Sequence, residues 1–332
     1  MRICLRRREF IAGLGGAAAW PLAARAQQPP ARVRRIAVLT NLASDDPESL
    51  TRIGAFLQGL QEFGWTDGRN VRIDYRWGAG DPERNTKYAA ELIALAPAVI
   101  LATGLPTVEP LMRATRTVPI VFVQVPDPVG AGVVESLARP GGNATGFTNL
   151  EYGQSAKWLE LLKEVAPGVR RVGFLRDTNA TGMALLGALQ SVASFFRVEL
   201  TQLNARSVGE IEGAITAFAR GSNGGLIVMP TGLAVVHRDL IIALAARHRL
   251  PAVYPLRPFV TTGGLISYGP DSIEPYRGAA GYVDRILKGE KPADLPVQAP
   301  TNYELVINLK TAKTLGLDIP PTVYARATEV IE

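Results

Sequence analysis

After Val33, short unbroken apolar runs alternate with longer stretches of helical spacing, and this restricts the fold more than any other feature of the chain. "RRIAVLT" (Arg34–Thr40) reads as a buried strand. From Pro47 to Gly64, Leu50, Ile53, Phe56, Leu57 and Leu60 recur on one helical face. "NVRIDYRW" alternates like a strand, and Asp81-Pro82-Glu83 supplies a capping side chain, a first-turn proline and a first-turn acid for the next helix. "AVILAT" (Ala98–Thr103), a helix from Pro106 and "VPIVFV" (Val118–Val123) extend the series to four β-α units. Continuous apolar strands separated by helices require a parallel sheet covered on both faces.

A second series begins after Gly146. "RRVGFLRD" (Arg170–Asp177), a helix over Thr181–Phe196, "RVELTQL", and a helix opened by Ser207 with Glu210 three residues on follow in turn. Then come "GGLIVMP" (Gly224–Pro230), one helix over Leu233–Arg249, "PAVYP" and "GGLISYG" (Gly263–Gly269). An amphipathic helix over Ser272–Gly289 and a mixed tail close the chain. The pattern predicts two similar α/β lobes, for which the length is ample.

Residues 1–26 stand outside this pattern. Arg7-Arg8 precede a mild apolar run of about 14 residues, Ile11–Ala24, which holds three glycines, is broken by Pro21 and ends in Ala24-Arg25-Ala26. A spanning helix needs about 20 apolar residues. The segment reads as a twin-arginine export signal cleaved before Gln27, which places the mature protein in the periplasm. The segment holds five arginines and one acid, so the net charge falls from +6 for the whole chain to +2 without it. That balance gives no basis for a nucleic-acid partner. Cys4, the one cysteine, lies in the same segment, so the mature chain has neither disulfides nor thiolate metal sites.

"VPDPVGAGVVESLARPGGNATG" (Val125–Gly146) packs three prolines and five glycines into 22 residues. As a phosphate loop it fails: G-x-G-x-x-G needs a glycine at 135, where Glu135 stands, and G-x-x-x-x-G-K-[ST] occurs nowhere. As backbone it reads as a turn capped by Asp127-Pro128, a short helix through Val129, Val133, Val134 and Leu137, and a stop at Pro140-Gly141-Gly142. Gly130 and Gly132 inside that helix each cost about 1 kcal/mol relative to alanine. They admit close approach either of a ligand or of neighbouring backbone.

Ligands of open parallel sheets sit beyond the carboxyl ends of the strands. The residues there are Asn41, Ser44, Thr103, Gly104, Gln124 and Asp127 in the first series, and Asp177, Asn179, Thr231, Tyr254 and Tyr268 in the second. Asp127 and Asp177 suit an ammonium group or act only as helix caps; Tyr254, Tyr268 and Phe147 stack on a flat ligand or pack internally. His237 and His248, the two histidines, lie eleven residues apart in one expected helix, about 16 Å. They cannot share a metal or a proton relay, and no H-E-x-x-H or G-x-S-x-G motif is present. The reading is therefore not an enzyme, with no cofactor and no metal, although a carboxylate pair brought together by folding stays open.

With those residues set out, the chain resembles the solute-binding proteins of bacterial ABC transporters with a type I periplasmic binding fold, in a group that includes tryptophan-binding-like members. The resemblance rests on Pro126-Asp127-Pro128, on Ser136-Leu137-Ala138-Arg139-Pro140-Gly141-Gly142-Asn143 with Thr145-Gly146, and on Asn308-Leu309-Lys310-Thr311-Ala312-Lys313 with Leu315-Gly316-Leu317. It extends over Val33–Glu332. It implies two Rossmann-like lobes joined by a three-crossing hinge: residues 33–145 plus 272–290, and 148–270 plus 295–332, with Gly146-Phe147 at one crossing. It also implies capture of a small polar solute, an amino acid or related zwitterion, by hinge closure. A membrane permease is the implied partner, and the protein is expected to act as a monomer. Many relatives carry a lipid-anchoring cysteine after the signal; Gln27 stands here, so a free periplasmic protein is expected. A ligand-presenting sensor for a membrane receptor and an exported α/β enzyme remain alternatives.

Overall fold

The computed structural model describes residues 33–149, 153–176 and 181–332. The expected export signal, Asp177 and Asn179 lie outside these residues. The first sheet has the order β2-β1-β3-β4-β5, from β1 (Arg34–Thr40), β2 (Val71–Trp77), β3 (Val99–Thr103), β4 (Ile120–Val123) and β5 (Ala144–Phe147). Every pairing in it is parallel. Its inner strands β1, β3 and β4 are buried on both faces along most of their length, whereas the edge strand β2 is only partly covered. Ile36 and Val38 point to one core with α1 (Pro47–Glu62) and α10 (Glu274–Leu287). Ala37 and Leu39 point to the other, with α2 (Pro82–Ala94) and α3 (Leu105–Ala114).

The second sheet runs β12-β11-β10-β9-β8-β6-β7. Its strands are β6 (Arg171–Arg176), β7 (Glu199–Asn204), β8 (Gly224–Val228), β9 (Ala252–Tyr254), β10 (Ile266–Pro270), β11 (Tyr303–Asn308) and β12 (Glu329–Ile331). Its pairings are parallel except β10–β11, which is antiparallel. One face packs on α4 (Gln154–Val165), α5 (Thr181–Ala193), α11 (Leu309–Leu315) and α12 (Pro321–Tyr324). The other packs on α6 (Val208–Phe218), α7 (Gly232–Val236), α8 (Arg238–Arg247) and α9 (Arg257–Thr261).

The chain passes between the sheets three times: after β5, after β10 and before β11. The passages run side by side. Thr148 N donates to Gln298 O and Gln298 N to Gly146 O, both at 2.9 Å, and Asp271 N donates to Asn302 O at 3.2 Å. Helix α10 thereby returns to the first lobe and lies on α1. Gly59 makes the close approach possible, since a Cβ there would stand 2.8 Å from Ala280 Cβ.

Three sequence expectations are corrected. The short helix expected after Asp127 is a set of turns: Ala131 N donates to Asp127 O, but Gly132 takes a left-handed φ of 68° and breaks the turn before it propagates. The single helix over Leu233–Arg249 is two, α7 and α8, which meet at His237. On α1 the buried side is Ser49, Arg52, Ala55, Phe56, Gly59 and Leu60, whereas Leu50 is exposed. The apolar stripe is offset, and an arginine occupies part of it.

Candidate functional site

A cavity of about 480 Å³ lies where the carboxyl ends of the two sheets face each other. The first lobe contributes Asn41 and Leu42 beyond β1, Thr103 and Gly104 at the end of β3, and Gln124 and Pro126 beyond β4. Arg52 of α1, Thr86 of α2 and the Leu105, Pro106 and Pro110 edge of α3 complete that wall. The second lobe contributes Met229, Pro230 and Thr231 beyond β8, the α7 residues Gly232, Leu233, Val235 and Val236, and His237. Asn149, on the first passage between lobes, closes the back. The exposed Glu109, Arg113 and Arg206 also belong to the lining.

Local backbone geometry sets these walls. Gly104 (φ 75°) and Gln124 (φ 57°) both take left-handed conformations directly after their strands, which turns the two chain ends toward the cleft. For Gln124 that conformation costs about 1–2 kcal/mol, strain that clusters at ligand-binding positions. Its Nε2 reaches Ser272 O at 3.5 Å. Thr103 Oγ1 accepts from Tyr276 OH at 3.2 Å, which ties the returning helix α10 to the cavity floor. Asn85 Nδ2 donates to Asn41 Oδ1 at 3.0 Å and fixes the Asn41 amide. Thr231 Oγ1 caps α7 by accepting from Ala234 N at 3.0 Å.

The lobes touch across the cleft. Pro106 and the Asn41 amide lie so close to Gly232 that a Cβ there would stand 2.8 Å from Pro106 Cγ. Gly80 presents the same relation to Val236, at 2.9 Å. Asp46 Oδ2 pairs with Arg238 Nη2 at 3.0 Å, with both side chains 14% exposed. The structure is therefore that of closed jaws. Burial holds the His237 imidazole below its ordinary pKa and so favours its neutral form in the wall.

Of the residues expected at the site, the structure places Asn41, Thr103, Gly104, Gln124 and Thr231 on the cavity wall. It places the other described ones elsewhere. Ser44 is exposed in a turn outside the lining. Asp127 Oδ1 accepts from Gly130 N at 2.8 Å and acts as a turn cap. Phe147 packs on Tyr282, ring centroids 5.0 Å apart, and against Gly278 of α10. Tyr254 is buried and stacks on Phe259, and Tyr268 stacks on Tyr303. The pair of facing aspartates expected to take an ammonium thus loses Asp127 from the cavity. No Phe, Tyr or Trp side chain lines it among the described residues. Among those residues no group of three His, Cys, Asp or Glu is placed to hold a metal ion.

Sequence reasoning missed Arg52, Asn149, His237 and the apolar rim of α3 and α7. One signal for Arg52 was available, because it sits at helical spacing with Phe56 and Leu60 on the inward side of α1. Only 1% of Arg52 is exposed.

Comparison with known proteins fits this geometry. The family model described as ABC transporter substrate binding protein matches residues 35–331. A tyrosine-binding protein of Clostridioides difficile (strain R20291) is 27% identical over 263 residues, 79% of this chain and 75% of that protein. Among solved structures, a conserved domain protein from Vibrio cholerae superposes with a TM-score of 0.83 at 30% identity, over 90% of this chain and 100% of that one. An ABC domain from Streptococcus pneumonia in complex with L-Trp superposes with the same TM-score at 25% identity and the same coverage.

Proposed function

This chain belongs to the family of ABC transporter substrate binding proteins, and on that footing we propose that its cavity takes one amino acid and closes over it by a hinge. Members of the family bind small solutes and deliver them to a membrane permease. The observation that carries the proposal is the shared cavity, whose walls come from both lobes and whose back is the passage between them. Its volume suits a single small molecule. Two relatives, one named for tyrosine and one complexed with L-Trp, support an amino acid as the guest.

Closure needs only that the guest bind the closed form better than the open one. Closed walls exclude water and strengthen each polar contact inside. The hydrogen-bonded passages at residues 146–148, 271 and 297–302 are suited to bend as a hinge. The protein is exported to the periplasm and works there as a monomer; the paired arginines, the mild apolar run and the small-residue ending of residues 1–26 support that placement. Among the described residues no helix is long and apolar enough to cross a membrane.

Isothermal titration of the purified mature chain with the twenty amino acids tests the reading. The expected result is saturable one-to-one binding of at least one of them, with the amino acid recovered unchanged. No binding by any of the twenty, or chemical conversion of the one that binds, overturns it.

A further inference from the structure

We propose that Arg52 is the carboxylate anchor of the cavity, so that the guest must carry a free carboxylate. This deepens the amino-acid reading and rests on it. Arg52 sits on the buried side of α1, one turn after Glu48, with 1% of its surface exposed, and it lines the cavity. A buried guanidinium is costly unless its charge and its donors are met. The protein meets them only in part. Glu48 Oε1 lies 2.9 Å from Arg52 Nε, and that same oxygen accepts a 2.7 Å hydrogen bond from Ser272 Oγ. Nε, Nη1 and Nη2 all lack a partner in good hydrogen-bond geometry among the described residues; Glu48 meets Nε as an ion pair, and the Tyr276 hydroxyl is a neutral neighbour of the guanidinium that supplies no charge.

The unpaired edge is therefore the one formed by the two terminal nitrogens. A planar guanidinium presents donors in a fork that matches a carboxylate. Among the cavity's lining residues the one carboxylate is the exposed Glu109, so no buried acid of the wall competes for that edge. Glu48 turns the guanidinium through Nε and is itself held by Ser272, at the passage that follows β10. The site thus supplies a buried, oriented cation, and a carboxylate is the complement it lacks.

The test compares acids with their neutral amides on the full mature chain. L-tyrosine, L-tryptophan and L-leucine are titrated against their carboxamides, with wild type and Arg52→Gln. In wild type the acids are expected to bind roughly thirtyfold or more tightly than the amides. In R52Q that ratio collapses toward one, through loss of acid affinity rather than gain by the amide. The ratio within each variant is insensitive to a general loss of stability, so a weakened R52Q protein still answers the question. An acid-to-amide ratio that R52Q leaves unchanged overturns the assignment while leaving the amino-acid reading intact. If no amino acid binds wild type, the amino-acid reading and the anchor fall together.

Discussion

Gly146 shows how narrowly a single residue can be specified. It lies in β5 with φ 155°, and a Cβ on it would fall into the Phe122 carbonyl of the neighbouring strand. Its carbonyl also accepts from Gln298 N, one of the bonds that join two passages between the lobes. Gly146→Ala must push β4 and β5 apart or break that bond, and its expected cost is about 2 kcal/mol or more. A chemical denaturation series measures it, and a change within about 0.5 kcal/mol of wild type would contradict the packing described. Position in the chain was informative for such glycines, because the Gly-rich stretch marked tight backbone geometry. It was less informative for side chains. Tyr254 and Thr231 both follow from the same rule about strand ends, yet Tyr254 turns into the Phe259 stack while Thr231 faces the cleft. A strand end fixes where a residue is along the sheet, not which face its side chain takes. Arg52 was passed over for a different reason: its spacing with Phe56 and Leu60 marks the inward face, but an apolar-stripe argument has no place for a buried cation.

At the scale of elements, the strands and most helices were legible, since period and capping agree locally. Asp81 Oδ1 does accept from Glu83 N and Arg84 N, at 2.9 and 3.0 Å. Ser207 Oγ accepts from Glu210 N, but the Glu210 carboxylate bonds Arg206 N, one residue outside the expected box. What failed was continuity. Nothing in the apolar spacing of Leu233–Arg249 marks the break at His237, which the tertiary contacts of α7 with the cleft impose. The return of α10 to the first lobe was legible only through the family resemblance, not through any periodicity, and its packing on α1 is seen only in the structure. The N-terminus of α1 offers a separable test. Asp46 Oδ1 caps the helix by accepting from Glu48 N at 2.8 Å and Ser49 N at 3.3 Å, while Oδ2 pairs with Arg238 of the other lobe. Asp46→Asn keeps the cap and removes the charge, so its thermal unfolding should report the loss of the ion pair alone, about 1 kcal/mol or less. Asp46→Ala removes both, and should cost about 1 kcal/mol more. Equal stability of the two variants would mean that the cap contributes nothing.

For the whole molecule, the same ion pair acts on the equilibrium between open and closed jaws. Asp46 and Arg238 are each mostly shielded, so their attraction is screened less than that of a surface pair. Opening the cleft separates the two and returns both to water. The pair therefore favours closure by an amount on the order of 1 kcal/mol, a several-fold change in the open-to-closed ratio. Arg238→Gln removes that bias without touching Arg52, Asn41 or Thr103. Ligand affinity should fall several-fold, because a guest that needs the closed form must now also supply the closing free energy. Added salt should weaken wild-type binding more than it weakens R238Q binding. Small-angle scattering of the ligand-free protein should show a larger radius of gyration for R238Q, and saturating ligand should bring both proteins to the same value. If R238Q matches wild type in affinity, salt response and ligand-free radius, the contact is incidental. The bias toward closure would then rest on the apposed walls alone, where Pro106 meets Gly232 and Gly80 meets Val236.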